Sequence, residues 1–532
     1  MGQQTTGVDG HIEPDDERGL SRQELVKRGL AAAAVVVAGP LATTSARAAG
    51  ARSQMARAGG VMQIAFPLAT SATLDPATVG STGDYDIILA SALYDHLVDT
   101  DNHWNITPAL AVSWDVDTSL THWTLHLRQG VKFHDGTPFT AEHAAFAVSR
   151  ILNKSLGSPL WRSFSSFLAP DGVVAKDAHT LVFNLQKPNS FFLQALAERQ
   201  LGIPKMETTL SGIGTGPFQL VRFNPQVWEV KANPQYWKKG LPLLSGLRGV
   251  IIDDPVTRVQ SVISGASHLA DNVSADQVAS VQKSSNGKVW SHQNFHYFLV
   301  IFDPTVPPFD DNRVRMALKL AVNRPTLLKI GEHGVGTLAN DIPVPLGDPY
   351  YPARFPLRKQ NFSTVKQLLA AAGHSGGINL TLQTSEAEGG MVDYGVTWSQ
   401  IVSASGAINV TVSQAPADSY WDQVWLKQPF YVSAALSRFP SERLDVTYVA
   451  AAPWNETKMH NPTLDALVDK ARATNDPSKQ KAALRAAYAI IAGQAGQSQA
   501  TFDPKLWASK KTVQGLKLEP THILDPSTAH LA

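Results

Sequence analysis

The chain has 532 residues, 43% of them hydrophobic and 17% charged, enough apolar material for large cores and too much for a disordered or collagen-like chain. Lys and Arg number 46 against 45 Asp and Glu, so no global basic field exists to hold a nucleic acid or an anionic membrane surface. The absence of cysteine excludes disulfides, thiol nucleophiles, Cys-ligated zinc, iron–sulfur clusters and a lipid-bearing cysteine.

In chain order, residues 1–48 predict an export signal. A long polar start precedes the apolar run from Leu30 to Leu41, and the small-residue site Ala46-Arg47-Ala48 follows. The run is shorter than the roughly 20 residues of a spanning helix, and Pro40 closes it, so removal is expected after Ala48 rather than permanent anchoring. Ser21-Arg22-Gln23-Glu24-Leu25-Val26-Lys27 resembles a twin-arginine export motif with Gln23 in place of the second arginine. The twin-arginine and general secretory routes both stay open.

No fixed-period repeat and no later apolar stretch of membrane length follows, so a soluble globular chain is expected. Alternation predicts strands at Trp123–Arg128 and Leu181–Leu185. Between them, Asp135-Gly136-Thr137-Pro138 is turn chemistry, and Thr140 can cap a helix from Ala141 with Ala144, Ala145, Val148 and Ile151 at helical spacing. Further strands are expected at Val227–Lys231, Tyr297–Phe302 and Asn379–Gln383, separated by helices rather than tight hairpins, which favours α/β lobes. Asp310 or Asp311 can cap a helix carrying Val314, Ala317, Leu318 and Ala321, and Arg324-Pro325 opens a short one. Asn461-Pro462 and Asp476-Pro477 predict helices over about 463–473 and 477–493, and a mostly α-helical C-terminus.

Several segments resemble chemical motifs. Gly373-His374-Ser375-Gly376-Gly377 fits the spacing of a hydrolase nucleophile elbow, but that elbow needs a strand before it and a helix after it. Here a helical run, Val365 to Ala372, comes first, so Gly373 reads as a helix stop. Gly212-Ile-Gly214-Thr-Gly216-Pro217 resembles a phosphate loop, yet a strand-like run follows instead of a helix N-terminus. His134 and Asp135 lack metal-ligand spacing. Trp398, Tyr420, Trp421, Trp425, Phe439 and Trp454 fall in one stretch; such rings either wall a ligand cleft or fill a core. By themselves these residues stop at an exported α/β protein, with a secreted hydrolase using Ser375 or an Asp/His pair left open.

As an ordered set, other segments resemble family 5 of the bacterial extracellular solute-binding proteins. They are Leu93-Tyr-Asp-His-Leu97, Pro108-Ala-Leu-Ala111, Ser113-Trp114 and the run from Trp123 to Ala141; then Gly214-Thr-Gly216-Pro217-Phe, Asn233-Pro-Gln-Tyr236-Trp237, Ser264-Gly265, Pro308 to Leu318, and Asn461-Pro-Thr-Leu464-Asp465. His143 departs from the usual acidic residue after Thr140, and Ala197 to Ser211 is short for the family.

The resemblance implies a periplasmic-binding-protein-like α/β fold of two hinged lobes with an extra subdomain on lobe I. Expected boundaries are 1–48 signal peptide, 49–98 first part of lobe I, 99–205 extra subdomain, 206–300 second part of lobe I, 301–499 lobe II and 500–532 last part of lobe I. It also implies a monomeric, periplasmic receptor that delivers a small peptide or similar polar solute to the permease subunits of an ABC importer, and through them to its ATPase. Nickel chelates, opines and glycosides are the alternative cargoes. No catalytic residue, metal or cofactor is expected. In peptide-binding relatives an acidic residue shortly after a Gly-Trp pair holds the peptide's α-amino group. Phe439 falls where the Trp would be and Glu442 where the acid would be, unless Glu442 simply pairs with Arg438 or Arg443. The expected ligand-binding set is Glu442, Arg438, Phe439, Tyr420, Trp421, Trp398 and Trp454.

Overall fold

The computed structural model describes residues 59–532 apart from 68–71, 80–83, 102, 208, 353 and 520–522. The expected export signal and its cleavage site lie outside the described residues.

Two lobes share one 12-stranded sheet. In the first lobe Val61–Phe66 pairs in parallel with Gly246–Ile251 on one side and Leu269–Ala270 on the other. Val227–Ala232 and Phe218–Asn224 extend the sheet antiparallel beyond Gly246–Ile251. In the second lobe Ile378–Thr384 lies parallel to Ile408–Gln414 and, at one rung, to Phe430–Leu436. Two long antiparallel strands, Gly287–Phe302 and Thr501–Lys510, join the halves. Gly287–Phe302 pairs with Phe430–Leu436 through His296–Phe302, while Thr501–Lys510 pairs with Leu269–Ala270 through Ala508 and Ser509. Register between the two crossing strands breaks between His292 and His296. Each lobe has its own core: Phe66, Tyr85 and Trp228 in the first, Phe298, Tyr394 and Trp398 in the second.

An extra subdomain rides on the first lobe. Its four-stranded sheet runs Ala111–Val116, His122–Leu127, Thr180–Leu185, Leu168–Asp177 in spatial order, and the helix Ala141–Ile151 buries Ala144, Val148 and Ile151 against it. The expected cap is present with a variation. Thr140 and His143 form a capping box in which Nδ1 of His143 accepts from the Thr140 backbone N–H at 3.3 Å, so a neutral imidazole does the work of a carboxylate. Asp311, Asn461 and Asp476 cap their helices as their spacing predicts.

Two expectations fail. The C-terminus is not mostly helical, because the chain after Pro477–Gln494 becomes the long sheet strand Thr501–Lys510. That strand is buried along most of its length, so it shows no alternation, and its Asp503, Pro504 and Lys505 obscure the strand signal. Val227–Ala232 is also not set off by helices; it forms a tight hairpin with Phe218–Asn224 across Asn224, whose Oδ1 accepts from the N–H groups of Gln226 and Val227.

Candidate functional site

The motif-like loops are consumed by the fold. Gly373 takes φ +90° just past the helix Phe362–Ala371, and His374 N–H donates back to Leu369 O at 2.8 Å, a left-handed helix stop leading into strand Ile378–Thr384. Ser375 therefore sits on no elbow. Gly214 and Gly216 abut the end of helix Asp84–Leu93: a Cβ on Gly214 would lie 2.0 Å from Leu93 O. The glycines permit backbone contact here rather than phosphate binding. His134 clamps the same loop, Nδ1 accepting from Gly214 N–H and Nε2 lying 3.2 Å from Gly216 O.

Beside that loop lies a polar network made from three of the segments that carried the family resemblance. Asp95 is buried and accepts from Thr215 Oγ1 at 2.8 Å, Tyr236 OH at 2.8 Å and Trp237 Nε1 at 2.9 Å. Burial still raises its carboxyl above the usual range, with Lys238 and the three donors opposing. Three donors from distant segments converge on one carboxylate, an arrangement that ties those segments together.

A different cluster stands between the extra subdomain and the second lobe. The subdomain helix Phe192–Leu196 leads into Glu198, Arg199 and Gln200, and the second-lobe helix Pro440–Thr447 carries Glu442, Arg443 and Asp445; all six are buried. Pro440 occupies the first helical turn, where its missing N–H costs nothing, and so fixes the direction of Glu442. An ion pair joins Glu198 to Arg438 across the two parts, and Arg472 pairs with Asp445. Arg443 Nη1 donates to Thr447 Oγ1 at 3.2 Å and its other terminal nitrogen contacts Leu436 O.

Several charged atoms in this cluster are left over. Arg199 is 4% exposed, yet its Nε and Nη1 have no hydrogen-bond partner; the same holds for Nε of Arg443 and Oε2 of Glu442. Burial, together with Arg438, brings the Arg199 guanidinium down to about 10. Burial and the neighbouring Glu198 push the Glu442 carboxyl well above the usual range, against Arg472 and Arg438. Buried polar atoms are nearly always paired, and orphaned charges are costly enough to require an explanation. The arrangement can complement a small molecule that brings both a negative and a positive group.

The cluster continues toward the crossing strands. Asp84, near enough to Arg199 to act on its charge, forms an ion pair with Lys505 Nζ at 2.9 Å, and Asp271 lies 3.0 Å from the same ammonium. Nδ1 of His296 lies 3.2 Å from Asp503 at the register break. Among the described residues no group of three or more His, Asp or Glu is arranged to hold a metal, and no helix is long and apolar enough to cross a membrane.

The residues singled out from sequence divide into two groups. Arg438, Phe439, Glu442 and Trp454 come together at the cluster, with the Arg438 guanidinium 5.2 Å from the Trp454 ring. Trp398 and Tyr420 lie in the second-lobe core: Trp398 Nε1 donates to Ser498 Oγ at 3.2 Å and Tyr420 OH to Val432 O at 2.6 Å. Trp421 packs edge-on against Tyr420 and Trp425 at that core's margin. Arg199 and its neighbours Glu198 and Asp84 were not singled out. Glu198-Arg199-Gln200 is the only faint signal, a polar triplet after a buried apolar run that reads equally as surface.

Comparison with known proteins is consistent across the chain. The family model for bacterial extracellular solute-binding proteins, family 5, matches residues 105–447, more than half of the sequence. The glutathione-binding protein GsiB of Shigella dysenteriae is 24% identical over 469 residues, covering 84% of this chain and 90% of that one. Among solved structures, the periplasmic binding protein DppA from Helicobacter pylori in complex with peptide STSA superposes with TM-score 0.80 at 22% identity over 90% of this chain and 99% of that one. AgaA in complex with agropinic acid, from A.tumefacien R10, gives 0.77 at 22% identity over 89% and 99%.

Proposed function

We propose, from the premise that the chain belongs to family 5 of the bacterial extracellular solute-binding proteins, that it captures a small zwitterionic solute, most simply a short peptide, between its two lobes. Its class is that of a solute receptor for an ABC importer and not of an enzyme. The single observation that carries the choice of cargo is the pair of opposite orphaned charges, Arg199 with Arg443 on one side and Glu442 on the other. A carboxylate would satisfy the guanidinium edges and an ammonium the Glu442 oxygen, each through charge-assisted bonds. The hydroxyl groups of an uncharged glycoside could hydrogen-bond to the same atoms but would leave both charges without a counter-charge.

Capture then works by population shift. A solute that touches both the subdomain and the second lobe stabilises only the form in which they meet, and the permease distinguishes that form from the open one. The chain acts as an exported monomer in the periplasm, cut after Ala48; Ala46 and Ala48 are the small residues such a cut requires.

Calorimetry against glutathione, the peptide Ser-Thr-Ser-Ala and agropinic acid tests the reading, with fluorophores near Asn153 and Asp469 reporting closure. Binding of a solute with free amino and carboxylate groups, accompanied by a shorter distance, is the expected result. Tight binding of a solute lacking either charge, or saturation with no change in distance, would contradict it.

A further inference from the structure

Phe439 is held by three rings, Phe191 at 5.4 Å, Tyr350 at 6.1 Å and Trp104 at 6.2 Å between centroids. A cavity of about 410 Å³ opens against this group, within the size range of small-molecule sites. One wall belongs to the first lobe's side, with Trp104, Phe191 and Gln194; the facing wall belongs to the second lobe, with Tyr350, Phe439 and Pro440. Only when the two parts meet does the cavity have both walls.

Asp348, which accepts from Tyr350 N–H at 2.7 Å, and Lys481 line the cavity with one charge of each sign. The neighbouring cluster instead holds charged atoms of both signs without hydrogen-bond partners. Phe439 is also the residue before helix Pro440–Thr447, whose first turn holds Glu442. The rings form the apolar part of a lining that Asn105, Ser190 and Gln480 complete with polar groups, and they suit a flat or bulky apolar group, since such rings supply contact area at low entropic cost.

We propose that this cavity is a compartment of the cargo site for an aromatic or large apolar substituent, so that the cargo is a small zwitterion carrying one such group. The inference rests on the receptor reading above, and the test keeps the two apart. Indole, which has no charge, is titrated into the full chain with ligand-observed NMR, in wild type, in Gln194→Trp, whose ring fills the cavity, and in Tyr350→Ala, which removes a wall without adding bulk. The tripeptides Ala-Phe-Ala and Ala-Ala-Ala are compared by calorimetry on the same proteins. Indole should bind wild type and lose at least tenfold in both variants, and the Phe peptide should be favoured at least tenfold in wild type but not in Gln194→Trp. Indole binding equally to all three proteins, or to none, overturns the compartment. Equal affinity of the two peptides for wild type overturns its link to the cargo. Indole bound by wild type and lost in the variants, with neither peptide bound, supports the compartment and overturns the zwitterion.

Discussion

The Asp95 network and the Arg199–Glu442 cluster are both buried, charged and assembled from segments far apart in sequence, and they differ in one respect. Asp95 receives three side-chain donors, whereas Arg199, Arg443 and Glu442 keep atoms without a partner. A satisfied buried charge fixes a fold; an unsatisfied one costs the fold free energy, and in this cluster we assign the missing partner to the solute. The first cluster is therefore read as framework and the second as site, and substitutions should separate them.

The largest effect is expected at the framework. Asp95→Ala strands two buried donors and one half-buried one, the buried pair at about 1–3 kcal/mol each, so stability should fall by at least about 2 kcal/mol. Urea denaturation measures it. A loss below about 1 kcal/mol would mean that the network is not structural.

Arg199→Met should behave in the opposite way. It removes an unpaired buried charge in favour of an apolar chain of similar length, so stability without ligand should hold or rise, while binding of the zwitterion weakens roughly tenfold to a hundredfold. A strongly destabilised protein with unchanged affinity would erase the distinction between the clusters.

Glu442→Gln should weaken binding about tenfold, because a charge-assisted bond contributes about 1.5–3 kcal/mol. The smallest effect is in pH. The folded-state pKa of Glu442 is raised to about 7, so between the unfolded value and that one the ligand-free protein holds a proton there that the unfolded chain has lost, and above it the carboxylate is charged. Its contribution to stability is then present below the unfolded value and fades as pH rises through the folded one. An ammonium ligand needs the carboxylate, so affinity should rise from pH 5 to pH 8, and the rise should vanish in Glu442→Gln. An identical pH profile in the variant would assign the titration elsewhere.

The same contrast explains what the sequence disclosed. Asp95, Thr215, Tyr236 and Trp237 lie inside the ordered segments that carry the family resemblance, and in this chain they bond to one another. Helix starts at Thr140, Asp311 and Asn461 were legible because a cap acts over three residues. Strand Thr501–Lys510 was not, since burial along most of its length erases alternation. Arg199 was illegible for a related reason: its meaning comes from burial against a segment some 240 residues away, as the Glu198–Arg438 pair beside it shows. The tryptophan-rich stretch marked the neighbourhood but did not separate Trp454, at the cluster, from Trp398, in the core.

The most direct test of the account is native mass spectrometry of the wild-type chain and Arg199→Met purified from the cells that make them. The account predicts that wild type carries a discrete small molecule bearing both a carboxylate and an amine, and that Arg199→Met, folded and equally abundant, carries little or none. The same molecule retained in equal amount by both proteins, or a co-purifying solute without a negative group, would contradict it.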